Sequence, residues 1–161
     1  MDDSIKRELE MQTSGASIHE WIYRGQEGLS LLVPATVYPP REDTGLLFSC
    51  LSKLGKGDGK KLLEIGCGSG AVSIATAKLG WEVTTCDVNP LAIAATTGNA
   101  SYNKVNLTAI EGGLDKDSNF INQQLIESRG PFDIITWNLP YLSPINEDED
   151  RLGPFEDAGL V

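Results

Sequence analysis

The predicted fold depends on residues 61–70, which read Lys-Leu-Leu-Glu-Ile-Gly-Cys-Gly-Ser-Gly. The apolar run over 61–65 predicts a short strand, and the alanine-rich stretch over 71–79 predicts a helix directly after the glycines. Because glycine has no Cβ, Gly66, Gly68 and Gly70 allow the chain to turn sharply and allow a ligand to approach the backbone closely. The stretch therefore indicates a strand–turn–helix unit that opens a ligand site. A tight turn with no ligand is the alternative.

The same alternation continues downstream of this unit. Further strands are predicted over 81–86, 107–110 and 132–137, with helices over 90–103 and 119–128 between them. Strands alternating with short helices predict an α/β fold, a doubly wound Rossmann-like parallel sheet. In such a sheet the ligand crevice lies at the carboxyl ends of the strands.

The residues upstream predict an extension to this core. Residues 1–18 are polar and predict a helix or a loose tail, whereas 21–24 and 29–33 predict two strands around a turn. Prolines at 39 and 40 exclude helix there, and a helix is expected to open near residue 41 and run to about residue 54. The predicted extension is thus a hairpin and a helix.

Composition narrows the function class. The net charge of −10 disfavours a nucleic-acid partner, since such binding depends on cations that neutralise phosphates; a protein with a basic surface suits it better. No apolar run approaches the roughly 20 residues of a membrane span, and the charged amino terminus does not resemble a secretory signal. Three cysteines without metal-ligand spacing predict reduced thiols. We therefore expect a cytoplasmic protein with no resident metal.

Two acidic residues stand where a ligand would meet the strand ends. Glu64, two positions before Gly66, could accept a hydrogen bond from a ligand ammonium. The compact G-x-G-x-G spacing differs from the G-x-G-x-x-G spacing that suits a pyrophosphate. Asp87, 21 positions after Gly66, could bind both hydroxyls of a ribose. Its alternative role is a helix cap before Asn89.

Glu-x-Gly-x-Gly-x-Gly with a downstream Asp resembles the class I S-adenosylmethionine-dependent methyltransferases. The resemblance implies S-adenosylmethionine as the cofactor. It also implies that the turn of Gly66, Gly68 and Gly70 lies under the methionine part and that Asp87 holds the ribose.

A third motif, Asn138-Leu139-Pro140-Tyr141, follows the last predicted strand. It resembles the Asn-Pro-Pro-Tyr signature of methyltransferases that act on planar nitrogens. The Asn138 oxygen and a carbonyl at 139 or 140 could each accept an N–H bond and so orient the nitrogen, while Tyr141 stacks on the flat group. Asn138, Pro140 and Tyr141 are the predicted catalytic residues, with Asn138 also beside the cofactor. A simple turn after a strand is the alternative.

The motif leaves two acceptor nitrogens open. Leu139 replaces a proline, and Asn-Leu-Pro-Tyr is typical of ribosomal adenine N6-dimethyltransferases, so the tetrapeptide allows a glutamine amide or an adenine. Residues 37–47 resemble the Val-Tyr-x-Pro-x-Glu-Asp-Thr-x-x-Leu segment of eukaryotic and archaeal HemK-like glutamine methyltransferases. That resemblance implies that Thr44 lies against the cofactor, that the substrate is a peptide-release factor, and that a small zinc-binding activator is a partner. A proline-rich entry to a capped helix is the alternative.

The family sheet has more strands than this sequence predicts. We expect a single methyltransferase domain over 1–161, with an N-terminal extension over 1–40 and a cofactor-binding core over 41–161 that lacks its last strands. The fourth predicted strand would then be an open sheet edge. Either a homodimer, another subunit or the N-terminal hairpin covers this edge, or the chain is unusually easy to unfold, and the sequence leaves these alternatives open. A non-catalytic partner subunit is the rival function.

Overall fold

The computed structural model describes residues 15–23, 28–113 and 127–139. Three helices and six strands lie in these ranges. In chain order they are β1 Ser17–Trp21, β2 Leu29–Val33, α1 Glu42–Ser52, β3 Lys61–Ile65, α2 Ala71–Lys78, β4 Glu82–Asp87, α3 Pro90–Tyr102, β5 Thr108–Glu111 and β6 Ile134–Trp137.

Most predicted elements are confirmed to within a few residues. Two predictions are wrong. Ser17 and Ile18 belong to strand β1 and not to a helix or tail, because they pair with Val33 and Leu32 of β2. The first hairpin strand, predicted over 21–24, ends at Trp21. The predicted helix over 119–128 lies almost entirely outside the described residues.

Four parallel strands form the main sheet in the order β5-β4-β3-β6. The order runs outward from β3 to β5, and then β6 pairs with the opposite side of β3, with Ile65 opposite Trp137. Strand order therefore reverses between β3 and β6, which is the switch point where a doubly wound sheet leaves a crevice at its carboxyl edge. The prediction of a Rossmann-like α/β fold is confirmed.

The two faces of this sheet are packed differently. The larger core joins β3 and β4 to the helices and the hairpin, with Leu31, Phe48, Leu62 and Ile74 at its centre. On the other face, Leu63, Ile65 and Cys86 form a smaller cluster. The helices thus lie mainly over the face that contains Leu62 and hold the ends of β3 and β4 in fixed positions.

The hairpin β1–β2 forms a separate antiparallel sheet, so it does not cover the edge at β6. That suggested role is wrong, because the outer edge of β2 is occupied by helix α3. Asn99 accepts from Leu32 N at 2.8 Å, and its Nδ2 donates to Leu32 O at 2.9 Å. Asn103 Nδ2 donates to Ser30 O at 3.0 Å. Within the described ranges, β6 pairs with β3 alone.

Aromatic side chains join the hairpin to helix α1. The Trp21 and Tyr23 rings each lie 5.8 Å, centroid to centroid, from Phe48. A Cβ at Gly45 would lie 2.8 Å from Tyr23 Cε2, so only glycine permits this approach. The hairpin therefore fixes where α1 begins. None of the helices in the described ranges could span a lipid bilayer.

Candidate active site

The glycine turn after β3 has the predicted backbone conformation. Gly66, Gly68 and Gly70 have φ angles of 70°, 53° and 81°, all in the left-handed region that favours glycine. Gly66 N donates to Cys86 O at 2.8 Å, which ties the turn to the end of β4. A Cβ at Gly70 would lie 2.8 Å from Thr96 Oγ1. Gly70 thus allows close packing against helix α3, whereas Gly66 is exposed at the crevice.

Asp87 lies at the carboxyl end of β4 and is bonded to the glycine turn. Gly68 N donates to Asp87 Oδ2 at 2.9 Å, and Asn89 N donates to Oδ1 at 2.9 Å. Burial raises the pKa of Asp87, and these two N–H donors oppose that rise. Each carboxylate oxygen can accept a second hydrogen bond, so the side chain can still take a ribose hydroxyl. The alternative role of a helix cap is wrong for Asp87, because Asn89 caps α3 and its side chain accepts from Leu91 N at 2.9 Å.

Glu64 is more enclosed than a residue facing an open ligand site. Its side chain is 3% exposed, and Ser73 of helix α2 donates its hydroxyl to Glu64 Oε2. Burial, with a smaller contribution from the Asp87 charge, raises the pKa of Glu64 to about 8. The carboxyl is therefore held largely protonated at neutral pH when no cation is beside it. Its predicted contact with a ligand ammonium stays a prediction.

The two cysteines near the turn are unsuited to nucleophilic chemistry. Burial raises the pKa of Cys67 far above its ordinary range and that of Cys86 to about 11. Thr96 Oγ1 also donates to Cys67 Sγ at 3.3 Å. Since the thiolate is the nucleophilic form, both side chains act here as small packed groups.

The segment before α1 lies against the glycine turn. A Cβ at Gly68 would lie 3.7 Å from Tyr38 O and 3.8 Å from Val37 Cγ1. The Arg41 guanidinium lies 5.1 Å from the centroid of the Tyr38 ring, which stabilises the segment locally. Residues 37–41 therefore connect the turn to the start of helix α1.

Thr44 is buried at the first turn of α1. Its Oγ1 accepts from Arg41 N at 3.1 Å, as one half of a capping box. The Thr44 hydroxyl therefore caps the helix in this structure, as the alternative interpretation of the segment expected. A contact between Thr44 and the cofactor stays a prediction.

Asn138 is hydrogen-bonded to helix α1 through Asp43, a residue that was not among the predicted site residues. Asn138 Nδ2 donates to Asp43 Oδ2 at 3.0 Å. Asp43 Oδ1 accepts from Thr44 N at 2.7 Å. The only signal in the sequence was the position of Asp43 beside Thr44 in the lead-in motif. Pro140 and Tyr141, the other predicted catalytic residues, lie outside the described residues.

The end of β6 also approaches the glycine turn. A Cβ at Gly66 would lie 3.4 Å from Trp137 Nε1, so the residue before Asn138 lies directly beside the turn. The carboxyl edges of β3, β4 and β6 thus place Glu64, Asp87 and Asn138 around one crevice.

A shallow groove lies between the end of the hairpin and the start of α1. Its volume is about 770 Å³, and it is lined by Trp21, Tyr23, Pro40, Glu42, Gly45 and Leu46 among others. Its lining combines aromatic and aliphatic surface with one cationic and one anionic side chain, Arg41 and Glu42.

The donor set at the strand ends fits S-adenosylmethionine. The ligand carries an ammonium, a sulfonium and ribose hydroxyls, and the partly buried carboxylate of Asp87 at the end of β4 has oxygens that can accept from such hydroxyls. The exposed Gly66 and the left-handed glycines leave the backbone accessible at the turn. When bound, the cofactor supplies a methyl group activated on sulfur.

A family model described as "Ribosomal protein L11 methyltransferase (PrmA)" matches residues 42–140. The chain belongs to this family. PrmA-type proteins are S-adenosylmethionine-dependent methyltransferases, so the predictions of the class I fold, of methyltransferase kinship and of the cofactor are confirmed at the level of the family. The narrower HemK-like assignment goes beyond this match.

Individual relatives include both protein-glutamine and L11 methyltransferases. A Methanocaldococcus jannaschii protein described as "Putative protein N5-glutamine methyltransferase" is 39% identical over 124 residues, which cover 76% of this chain and 56% of that protein. The release factor glutamine methyltransferase of Lactococcus lactis is 34% identical over 118 residues, covering 71% of this chain and 40% of its own. An L11 methyltransferase of Campylobacter hominis is 38% identical over 78 residues, covering 48% and 26%. The chain thus spans about half the length of these relatives or less.

Solved structures agree on the fold. The T. thermophilus 16S rRNA N2 G1207 methyltransferase, in complex with AdoMet and guanosine, superposes with a TM-score of 0.66 at 19% identity. It covers 80% of this PrmA-family chain and 34% of its own length. At this identity the likeness concerns the fold alone.

Proposed function

We propose that this PrmA-family protein transfers a methyl group from S-adenosylmethionine to a side-chain amide nitrogen, that of a glutamine in a peptide-release factor. The observation that carries the proposal is the position of Asn138 at the switch point, where its Nδ2 is bonded to Asp43. No residue in the described ranges donates to Asn138 Oδ1. With respect to the described residues, that oxygen would be open to accept an N–H of the acceptor.

The proposed chemistry depends on orientation. An amide nitrogen is a poor nucleophile because its lone pair is delocalised into the carbonyl. Asn138 Oδ1 would accept one of its N–H bonds, and a backbone carbonyl of Leu139 or Pro140 would accept the other. The lone pair would then point at the methyl group, while Tyr141 stacks on the amide plane. The new N–CH₃ bond would replace the S–CH₃ bond of the cofactor, which would leave as the thioether S-adenosylhomocysteine, and the nitrogen would lose one N–H proton to water. Fixing the two reactants in this way lowers a bimolecular barrier without a strong base.

The cofactor side of the proposal assigns four positions. Gly66 to Gly70 would lie under the methionine part, Asp87 would hold the ribose hydroxyls, Glu64 would face the ammonium, and Thr44 would border the cofactor beside Asn138. The bond from Gly68 N to Asp87 supports this, because it fixes the ribose-binding carboxylate relative to the turn.

Three observations favour a protein amide as the acceptor. The relatives from M. jannaschii and L. lactis are named for glutamine methylation. Residues 37–47 resemble the lead-in of the HemK-like enzymes. The net charge of −10 suits a basic protein surface better than RNA.

Two other acceptors have an observation of their own. The family match over 42–140 favours ribosomal protein L11, and Asn-Leu-Pro-Tyr at 138–141 favours an adenine of ribosomal RNA. Incubation with tritiated S-adenosylmethionine and purified release factor, L11 or ribosomal RNA tests all three. Label in the release factor, mapped to a glutamine by mass spectrometry, supports the proposal. Label only in L11 or RNA overturns it, and label in none favours a non-catalytic subunit.

A small zinc-binding activator and a homodimer are the proposed partners. Strands β5 and β6 are the two outer strands of the described sheet, so either presents backbone groups that another chain could pair with. Copurification with a coexpressed zinc-binding protein would support the first. Sedimentation of the chain alone at micromolar concentration tests the second, and a monomer that methylates at full rate alone would contradict both.

A further inference from the structure

We propose that Asp43 is a positioning residue for methyl transfer, which sets the direction of the Asn138 side-chain amide. This rests on the proposed function of Asn138. The two residues are 95 positions apart in the chain, yet Asn138 Nδ2 lies 3.0 Å from Asp43 Oδ2. An ionised carboxylate can only accept hydrogen bonds, so it selects the NH₂ end of the amide.

That selection determines which end of Asn138 remains for a ligand. The oxygen and nitrogen of a carboxamide lie on opposite sides of its carbon, and they exchange places when the amide rotates by half a turn. With Nδ2 held at Asp43, Oδ1 points away from the carboxylate. An acceptor amide or amine presents N–H groups and needs an oxygen there. In the opposite rotamer, Asn138 would direct its own NH₂ group at the N–H groups of the acceptor, and no hydrogen bond could form.

Asp43 is itself held in place by the start of helix α1. Its Oδ1 accepts from Thr44 N at 2.7 Å and from Thr44 Oγ1 at 3.4 Å. Both carboxylate oxygens are therefore engaged, one by the helix and one by Asn138. The side chain links the lead-in segment to the end of β6, so the two motifs found separately in the sequence act at one position.

The variant Asp43→Asn separates positioning from a structural role. It keeps the size of the side chain and an oxygen that can cap Thr44 N. Its NH₂ group would then face Asn138 and require an oxygen from it. We expect Asn138 to rotate, to turn Nδ2 toward the acceptor, and to lose transfer almost as completely as Asn138→Ala. A purely structural role predicts little effect of Asp43→Asn on activity, because the cap is preserved.

The assay uses the complete chain, tritiated S-adenosylmethionine and purified release factor, with L11 and ribosomal RNA in parallel. We expect Asp43→Asn to lower kcat by about 10- to 100-fold, as misplaced reactive groups do, while the KM for cofactor and its calorimetric Kd change less than about twofold. Glu82→Gln is the control, since Glu82 is an exposed carboxylate at the amino end of β4, opposite the edge that holds the candidate site. It should retain the parent kcat.

The double variant tests whether the two residues act together. If Asp43 acts through Asn138, then Asp43→Asn adds less than about twofold to the loss caused by Asn138→Ala. Independent losses that multiply would overturn the proposal. A readout without turnover is the side-chain NH₂ signal of Asn138 in ¹⁵N spectra, identified by its absence in Asn138→Ala. It should shift and exchange faster with water in Asp43→Ala.

The outcomes for Asp43 and for the proposed function are distinguishable. If Asn138→Ala retains full transfer to every acceptor, the proposed function of Asn138 fails. If Asn138→Ala is inactive but Asp43→Asn has the parent kcat and an unchanged Asn138 signal, only the positioning role of Asp43 is overturned.

Discussion

Replacing Glu64 by glutamine should change how the stability of the chain depends on pH. Burial raises the Glu64 pKa from an ordinary 4.5 to about 8 in the folded state. In the unfolded chain the carboxyl ionises near its ordinary value. Between pH 4.5 and 8 the unfolded state therefore loses a proton that the folded state keeps, and the free energy of unfolding falls as the pH rises. Above about pH 8 this contribution levels off.

The size of the effect follows from the difference between the two pKa values. At about 1.4 kcal/mol per pH unit, the rise from 4.5 to about 8 sets an upper limit of about 5 kcal/mol. Structural relaxation and water penetration reduce it, so we expect about 2–4 kcal/mol between pH 4.5 and pH 8. The glutamine side chain of the variant is neutral at every pH and can still accept from the Ser73 hydroxyl. Glu64→Gln should therefore be more stable than the parent at pH 8 and close to it at pH 4.5.

Urea denaturation of the cofactor-free chain at pH 4.5, 6 and 8 measures this difference directly. Other carboxylates titrate in the same range, so the quantity that matters is the gap between variant and parent at each pH. Glu82→Gln is the control, because Glu82 is an exposed carboxylate at the start of β4. A gap for Glu64→Gln that is the same at pH 4.5 and pH 8 would refute a carboxyl held protonated by burial.

Three further predictions concern the crevice and its supports. Asp87→Ala should weaken binding of S-adenosylmethionine by about 1–3 kcal/mol, since a charged hydrogen-bonding group is lost; unchanged calorimetric affinity would remove Asp87 from the ribose site. Gly70→Ala should lower the free energy of unfolding by more than about 1 kcal/mol, because a Cβ would lie 2.8 Å from Thr96 Oγ1 at a φ of 81°. Gly98→Ala, with nothing within 4 Å of its Cβ, is the control and should be neutral or stabilising in a chemical melt. Asn99→Ala should cost about 2–4 kcal/mol, since it leaves Leu32 N, Leu32 O and Ser69 O unpaired; a loss below about 1 kcal/mol would mean that water replaces them.

The parallel core could be predicted because its signals are local. The alternation of strands and helices around Gly66 and Gly70 depends on residues close in sequence, and the carboxyl edge follows from topology rules. The hairpin was predictable for the same reason, although its contact with α3 was not. That contact depends on Asn99 and Leu32, which are 67 positions apart.

The residue types of the candidate site could be predicted from the sequence, but the burial and the hydrogen bonds of those residues could not. A glutamate before a glycine turn indicates a ligand contact, yet the sequence does not show that Ser73 and burial enclose Glu64. Thr44 was expected at the cofactor, but a hydroxyl at the third position of a helix also fits a cap, and only coordinates show which bond is made. The pairing of Asp43 with Asn138 required knowledge of how α1 meets the end of β6.

Asn99 of α3 and Asn103, the residue that caps its carboxyl end, have a consequence for solubility. An unpaired strand edge can recruit the same strand of another molecule and start an aggregate. The side-chain amides of Asn99 and Asn103 form hydrogen bonds with the backbone of Leu32 and Ser30, as a neighbouring strand would. Unlike a strand, these side chains have no second row of backbone groups with which a further strand could pair. These contacts thus prevent the hairpin sheet from growing beyond β2. We therefore expect variants that lack these amides to aggregate in a concentration-dependent manner while most chains are still folded.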